Sequence, residues 1–293
     1  MLVEWLNRMK DAIDLIESKM EEPLNIEEIA TAAYSSPFHF QRMFHMLTGM
    51  TVAEYIRKRR LTLAVQELAL TPSKVIEVAL KYGYDSPESF SKAFRKIHGI
   101  SPSEARHPGV QLKAFPRISF HISLKGDKDM DYRIVDKEAF TVIGKTARLT
   151  CQNNEQQSKI PKLWAEYNRN GTVNKLGSLS TDGNVLGIIM DMVPGRDEFN
   201  YMIAAEADSS SAGAAAEQHG FVTSVIPAST WAIFTSVGSL PDAIQTLTAR
   251  IYQEWFPGTG YEHSGAPELE VYPLGNTTAA DYRCEVWVPI VKK

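Results

Sequence analysis

SSPFHFQRMF occupies Ser35–Phe44, and fifty residues later DSPESFSKAF occupies Asp85–Phe94. Aligning the chain with itself at that offset extends the match well beyond ten residues. Ile26 meets Ile76, Tyr34 meets Tyr84, Gly49 meets Gly99, Thr51 meets Ser101 and Glu54 meets Glu104. Self-similarity of this length predicts two versions of one supersecondary unit.

Each version reads as helix, turn, helix. In the first, Asn25 is placed to cap IEEIATAAY, with Glu28 in the capping-box position. Ser36 and Pro37 then suit the cap and first position of a second helix, and Gly49 its end. The second version repeats the plan around Val75–Lys81, Pro87 and Gly99. Phe40 and Phe44 share one helical face, as do Phe90 and Phe94. The other face then carries Phe38, His39, Gln41, Arg42 and His45 in the first copy, and Glu88, Ser89, Lys92 and Lys96 in the second.

An ordinary helical hairpin would satisfy the spacing, but the outward residues favour a DNA-reading helix-turn-helix. Arg and Gln read guanine and adenine edges bidentately. Glu88 either accepts from cytosine N4 or stabilises the N-terminus of its helix. Between the copies, VAEYIRKRRLTLAVQELAL (Val52–Leu70) has helical spacing without Gly or Pro. An 18-residue helix spans roughly 27 Å. It would hold two recognition helices for successive major grooves about 34 Å apart. Arg57, Lys58, Arg59 and Arg60 at its basic end suit phosphates, which supply affinity without sequence information.

The charge distribution agrees. Residues 1–35 hold 3 basic and 8 acidic side chains, whereas residues 36–106 hold 11 basic and 6 acidic, in a chain of 293 residues with a net charge of −4. A basic block beside acidic ones is the coarse footprint of a polyanion binder. No run of about 18 apolar residues predicts a membrane span, and the acids in MLVEWLNRMKDAIDLIESKM argue against a signal peptide. The two cysteines, Cys151 and Cys284, are far apart, so neither a disulfide framework nor a zinc site is expected, and a reducing cytoplasm fits. No catalytic constellation, metal spacing or phosphate loop is legible, and no cofactor is expected.

After His107–Gly109 the texture changes to strands: YRIVDKEAFTVIGKTARL, LGIIMDMV and FNYMIAAEA, with helices at Ile160–Asn168 and Leu240–Trp255. GDKD (126–129) reads as a turn or boundary and SSSAGAAAE (Ser209–Glu217) as a connector. A weaker echo of the first strands follows, suggesting a second internal duplication. In CEVWVPI, alternation puts Val286, Val288 and Ile290 on one face and Glu285, Trp287 and Pro289 on the other. Glu285 is then a solvated edge residue or the acid of a pocket. A carboxylate beside an aromatic ring suits a lipophilic cation. Tyr201 and Phe199 share a strand face and are further wall candidates, as are Trp164, Trp231 and Trp255.

Residues 26–61 and YGYDSPESFSKAFRKIHGISPSEAR (Tyr82–Arg106) resemble the DNA-binding domain of the AraC/XylS family of transcription regulators. The resemblance places base or backbone contacts on Phe38, Gln41, Arg42, Glu88, Ser89 and Lys92. MDYRIVDKEAFTVIG, IPKLW, EWFPGTGYEHSGAPELEVY and CEVWVPI resemble the gyrase-inhibitor-like effector-binding domain that Rob-like regulators carry after an AraC-type domain. That resemblance implies a cleft for small, often cationic molecules, with Glu285 at its centre.

The expected fold is multi-domain. An all-α double helix-turn-helix domain (1–107) is followed by a linker or leading strand (108–129). An α+β domain (130–293) of two strand-helix-strand-strand repeats with an antiparallel sheet completes it. The expected function is a sequence-specific, effector-sensing transcription regulator, more an activator than a repressor, in the cytoplasm at the nucleoid. Expected partners are promoter DNA, a small effector and RNA polymerase, with no membrane. Two DNA-binding units in one chain let a monomer suffice, though a homodimer is also open. The competing readings are a hydrolase of reactive compounds, using Glu285 and a nearby Tyr as base and acid, and a general DNA-binding protein without a ligand.

Overall fold

The computed structural model describes residues 2–107, 109–119, 129–151, 155–192 and 198–292. The expected turn at 126–129 therefore lies outside the described residues except for Asp129. Two compact units emerge, and they do not follow chain order. One joins Leu2–Pro37 to Thr51–Leu124; the other joins Phe38–Met50 to Lys125–Lys293. The segment Phe38–Met50 of the first repeat groups with the later residues.

The first unit holds α1 (Leu2–Ser18), α2 (Ile26–Ala32), α4 (Val52–Leu70), α5 (Val75–Lys81), α6 (Pro87–His98) and a 3₁₀ turn at Glu104–Arg106. Its helices start where side chains satisfy exposed backbone donors. Asn25 Oδ1 accepts from the Glu27 N–H at 3.0 Å. Glu28 does not close the expected capping box, because Lys19 takes its carboxylate. Thr51 caps α4 through the Glu54 N–H at 3.1 Å. Ser86 caps α6 through the Ser89 N–H at 3.2 Å, with Pro87 as first residue and Gly99 closing at φ 80°. The second-repeat core packs Phe90 and Phe94 of α6 against Leu61, Val65 and Leu68 of α4 and Val78 of α5.

The second unit contains α3 (Pro37–Thr48) and a nine-stranded antiparallel sheet. Its strands are β1 (Tyr132–Lys137), β2 (Phe140–Thr150), β3 (Val185–Met190), β4 (Glu198–Glu206), β5 (Val222–Ile226), β6 (Ser229–Val237), β7 (Tyr261–His263), β8 (Glu268–Tyr272) and β9 (Arg283–Lys292). Its helices include α7 (Glu155–Arg169), α8 (Thr172–Leu179), α9 (Ala212–His219) and α10 (Asp242–Arg250). The order β1-β6-β9-β8-β3-β4-β2-β5, with β7 beside β9, reads as two halves meeting at β8 and β3. Each half is a strand-helix-strand-strand unit: β2, α7–α8, β3, β4 and then β6, α10, β8, β9. The leading strands are exchanged, β1 pairing with β6 and β5 with β2. The segment expected as a connector, Ser209–Glu217, instead contains most of α9. Its alanines are strong helix formers, and it buries Ala212 and Ala216.

Strand alternation gives the sheet two different faces. Phe199, Tyr201 and Ile203 of β4 pack with Ile160, Leu163, Trp164 and Leu176 of α7 and α8. Met202 and Ala204, in between, join Leu186, Ile188, Trp231 and Leu269 on the other face. Where β2 crosses β4, Gly144 makes the approach possible. A Cβ there would sit 2.1 Å from the Ile203 carbonyl oxygen and 2.6 Å from the Ala204 Cα.

These are backbone atoms that no rotamer change moves aside. Gly144→Ala is therefore expected to destabilise the chain by about 3 kcal/mol in urea unfolding. Gly213→Ala, in α9 with nothing within 4 Å, is expected to stabilise by about 0.5 kcal/mol.

Candidate functional site

In β8, ELEVY (Glu268–Tyr272) alternates Glu268, Glu270 and Tyr272 with Leu269 and Val271. The two aliphatics join the sheet face containing Trp231, so the two acids and the tyrosine point together to the helix side. Glu270 sits there in a chain of donors. The Tyr201 hydroxyl donates to Glu270 Oε2 at 2.6 Å, and that of Tyr272 donates to the same oxygen at 3.1 Å. The Trp164 Nε1–H donates in turn to the Tyr201 oxygen at 2.9 Å. Trp164 also meets the Tyr272 ring edge-on, with centroids 4.8 Å apart. Gly187, paired with Glu270 across β3 and β8, keeps this arrangement open. A Cβ at that position would fall 2.2 Å from Tyr201 Oη and 2.6 Å from Glu270 Oε2.

Burial raises the Glu270 carboxyl above its ordinary 4.5 against the opposing phenol bonds. Burial, with the nearby Glu270 charge, pushes the Tyr201 and Tyr272 phenols well up. Both phenol bonds go to Oε2. The carboxylate and Tyr272 line a cavity of about 540 Å³ whose apolar wall includes Ile160, Trp164, Phe199 and Ile244. The size suits a small organic molecule. Arg42, His45, Met46 and Gly49, from α3 and its end, line the same cavity.

Glu268 has a different partner. Arg42 of α3 binds it bidentately, Nε to Oε1 at 2.8 Å and Nη2 to Oε2 at 2.7 Å. Tyr252 donates to Oε1 at 2.5 Å and lies under the guanidinium at 5.0 Å. His263 Nε2 is 3.1 Å from Oε1, while its Nδ1 accepts from the Gly265 N–H. Burial opposes ionisation of Glu268, but the Arg42 charge and the His263 contact outweigh it and hold the carboxyl well below the usual range. Burial likewise opposes the charge on Arg42, and Glu268 and Tyr252 reverse it.

The structure separates the expected cavity residues. Trp164 and Phe199 line the cavity on the helix side, and Tyr201 lies behind them, bonded to Trp164 and Glu270. Glu285 and Trp287 are not: Glu285 takes the Arg133 guanidinium at 2.8 Å and the Trp287 indole N–H at 2.8 Å. Trp287 lies with Trp231 on the opposite sheet face. Trp255 stacks on Tyr261 at 5.8 Å, away from the cavity lining. The alternation read from CEVWVPI holds, but the cavity opens among the helices on the aliphatic side of β9. Val286 pairs directly with Glu270 there. Sequence reading missed Glu270, although acids alternating with aliphatics in ELEVY were a signal that the acids share one face.

The expected DNA-reading residues also divide. On α6, Glu88, Ser89, Lys92 and Lys96 are exposed, as expected. On α3, His39, Arg42 and His45 are buried, and Phe38 and Gln41 are partly covered. Phe38 packs on His263 at 4.5 Å, His39 Nδ1 accepts from the His263 N–H, and His45 meets Gln156. Arg59, expected at phosphate, is held by the Glu17 carboxylate through Nε and Nη2 at 2.8 Å each, and donates to the Phe115 carbonyl. The acidic N-terminal segment supplies the partner that the segment charges alone did not reveal. Arg57 is half-buried and makes no hydrogen bond or ion pair among the described residues.

Residues 133–290, the two-repeat sheet with its cavity, match the family of integron-associated effector binding proteins. The chain belongs to this family. Residues 29–107 match a helix-turn-helix domain. The Transposon Tn10 TetD protein of Escherichia coli is 42% identical over 98 residues, covering 33% of this chain and 71% of that protein. The right origin-binding protein of Escherichia coli strain K12 is 26% identical over 296 residues, 96% of this chain and 97% of the relative. The structure of SAV2435 bound to tetraphenylphosphonium is 22% identical, covers 55% of this chain and 94% of that one, and superposes with a TM-score of 0.48. This effector-binding protein is thus an AraC-type DNA-binding transcription regulator, with DNA and a small-molecule effector as partners. Among its described residues no helix is long and apolar enough to cross a membrane.

In the regulator, Arg59→Ala removes a bidentate bond to Glu17. It is expected to cost about 1–3 kcal/mol of stability in chemical denaturation, an effect that a solvent-facing phosphate contact would not produce.

Proposed function

We propose that the regulator senses a lipophilic cation at Glu270 and switches promoter binding in response. The carrying observation is the buried carboxylate with two phenols and an indole around it, opening on a cavity of about 540 Å³. A desolvated negative charge framed by aromatic rings rewards a cation that sheds water easily, and the apolar wall rewards its hydrocarbon surface. Small hydrated cations gain neither. A sensor fits this site better than a hydrolase, since the phenols beside Glu270 are pushed away from ionisation and so make poor proton donors.

On the DNA side, the exposed Glu88, Ser89, Lys92 and Lys96 of α6 read one stretch of a promoter, and α3 reads another. One chain carries both helices, so a monomer binds an asymmetric site without a symmetric partner. We read the regulator as an activator that presents RNA polymerase to the promoter, acting in the cytoplasm at the nucleoid.

Tetraphenylphosphonium is a suitable probe in titration calorimetry of the full chain. Glu270→Gln is expected to weaken binding at least tenfold, while Glu285→Gln leaves it unchanged; the reverse ranking overturns the assignment. The pH dependence has a definite sign. The Glu270 carboxyl is raised above 4.5 and must be ionised to pair with the cation, so binding releases a proton. Affinity is expected to be full above the raised value and to fall as pH drops through it, with a flat profile in Glu270→Gln.

A further inference from the structure

The duplication supplies an internal control for α3. At the fifty-residue offset, Phe38, His39, Arg42, His45 and Met46 correspond to Glu88, Ser89, Lys92, Arg95 and Lys96. All five α6 residues are exposed, and none of the five on α3 is. The covered set includes the side chains that a recognition helix needs free. Arg42 is the clearest case. Its two guanidinium N–H groups take the two Glu268 oxygens at 2.8 and 2.7 Å, the fork geometry with which arginine reads the O6 and N7 of guanine.

We propose that Glu268 is an internal competitor for DNA: it holds Arg42 and sequesters α3, and an effector in the adjoining cavity releases the helix. The coupling follows from placement. Glu268 and Glu270 are alternate residues of β8, about 7 Å apart along the strand. Arg42, His45 and Met46 line the cavity into which Glu270 opens. A cation bound at Glu270 therefore lies beside the Arg42 guanidinium in a desolvated site. There, like charges repel strongly and the cation also competes for Glu268. The electrostatic connection already exists, since both Glu268 and Arg42 act on the Glu270 carboxyl. Thermodynamic reciprocity then requires DNA that extracts Arg42 to tighten cation binding by the same factor. The effector arm of this proposal rests on the cation-sensing reading above; the Glu268 arm does not.

Duplexes selected from a random-sequence library with the full wild-type and Glu268→Gln chains provide the test. By anisotropy, Glu268→Gln is expected to bind its duplex roughly tenfold tighter than wild type. Equal or weaker binding by a variant with the wild-type circular dichroism spectrum overturns the competitor. If that spectrum changes, hydrogen exchange in the wild-type chain decides. The His263 amide, which donates to His39, should lose protection when the selected duplex saturates the protein, and retained protection overturns the proposal. Tetraphenylphosphonium should tighten wild-type DNA binding but not that of Glu268→Gln. If it binds in calorimetry yet leaves wild-type DNA affinity unchanged, the coupling fails and the sensing site stands. If it does not bind at all, the sensing reading fails, while the Glu268→Gln result still decides the competitor.

Discussion

Two carboxylates two residues apart on one buried strand face present a strict physical problem. Each loses hydration worth several kcal/mol and must recover it from the protein. β8 solves the problem twice, in opposite ways. Glu268 receives a full countercharge from Arg42, which holds its carboxyl well below the usual range. Glu270 receives phenol donors without a countercharge, and its carboxyl is raised. The first is a completed ion pair. The second is incomplete by one positive charge, and it is the one that lines an apolar cavity. The difference between neighbouring sites, rather than either site alone, leaves the Glu270 carboxylate without the countercharge that Glu268 has.

The sheet makes this arrangement possible through duplication. Two strand-helix-strand-strand units meet at β3 and β8, with their leading strands exchanged. At the meeting line the two repeats contribute unequally. β3 supplies Gly187 opposite the Glu270 of β8. One repeat provides the acid and the other provides the absence of a side chain that lets Tyr201 reach it. Symmetric copies would bring two acids together, and like charges in one buried site oppose each other's ionisation. Divergence at a single pair converts a symmetric cleft into a site for one charge.

Much of the architecture was legible because it rests on local chemistry. The fifty-residue repeat, the Ser86 cap and the Phe90–Phe94 face follow from spacing and propensity alone. The alternation of β9 was also legible. The side on which the cavity lies was not, because both faces of a central strand are covered and alternation alone cannot rank them. Arg59 shows the same limit. A basic run looks solvent-facing until the acidic helix that binds it is in place, and Glu17 lies forty-two residues away in sequence.

The two recognition helices themselves carry a sign of their different environments. PESFSKAFRKIH has one apolar face and a charged remainder, the pattern of a helix covered once. PFHFQRMFHMLT adds apolar side chains to its second face, with Phe38 and Met46 where the second copy has Glu88 and Lys96. A helix with bulky apolar side chains on its second face as well needs a second covering surface. For α3 the effector-binding unit provides it, through His263, Tyr252, Phe256 and the cavity. If α3 reads DNA as proposed above, this covering has to be reversible. An ion pair at the rim of a ligand cavity is easier to bias than a fully apolar contact, since a bound charge acts on it directly. Phe38 and Met46 supply apolar contact between α3 and the sheet, and Arg42 supplies an ion pair, the one part of the contact whose strength depends on nearby charge.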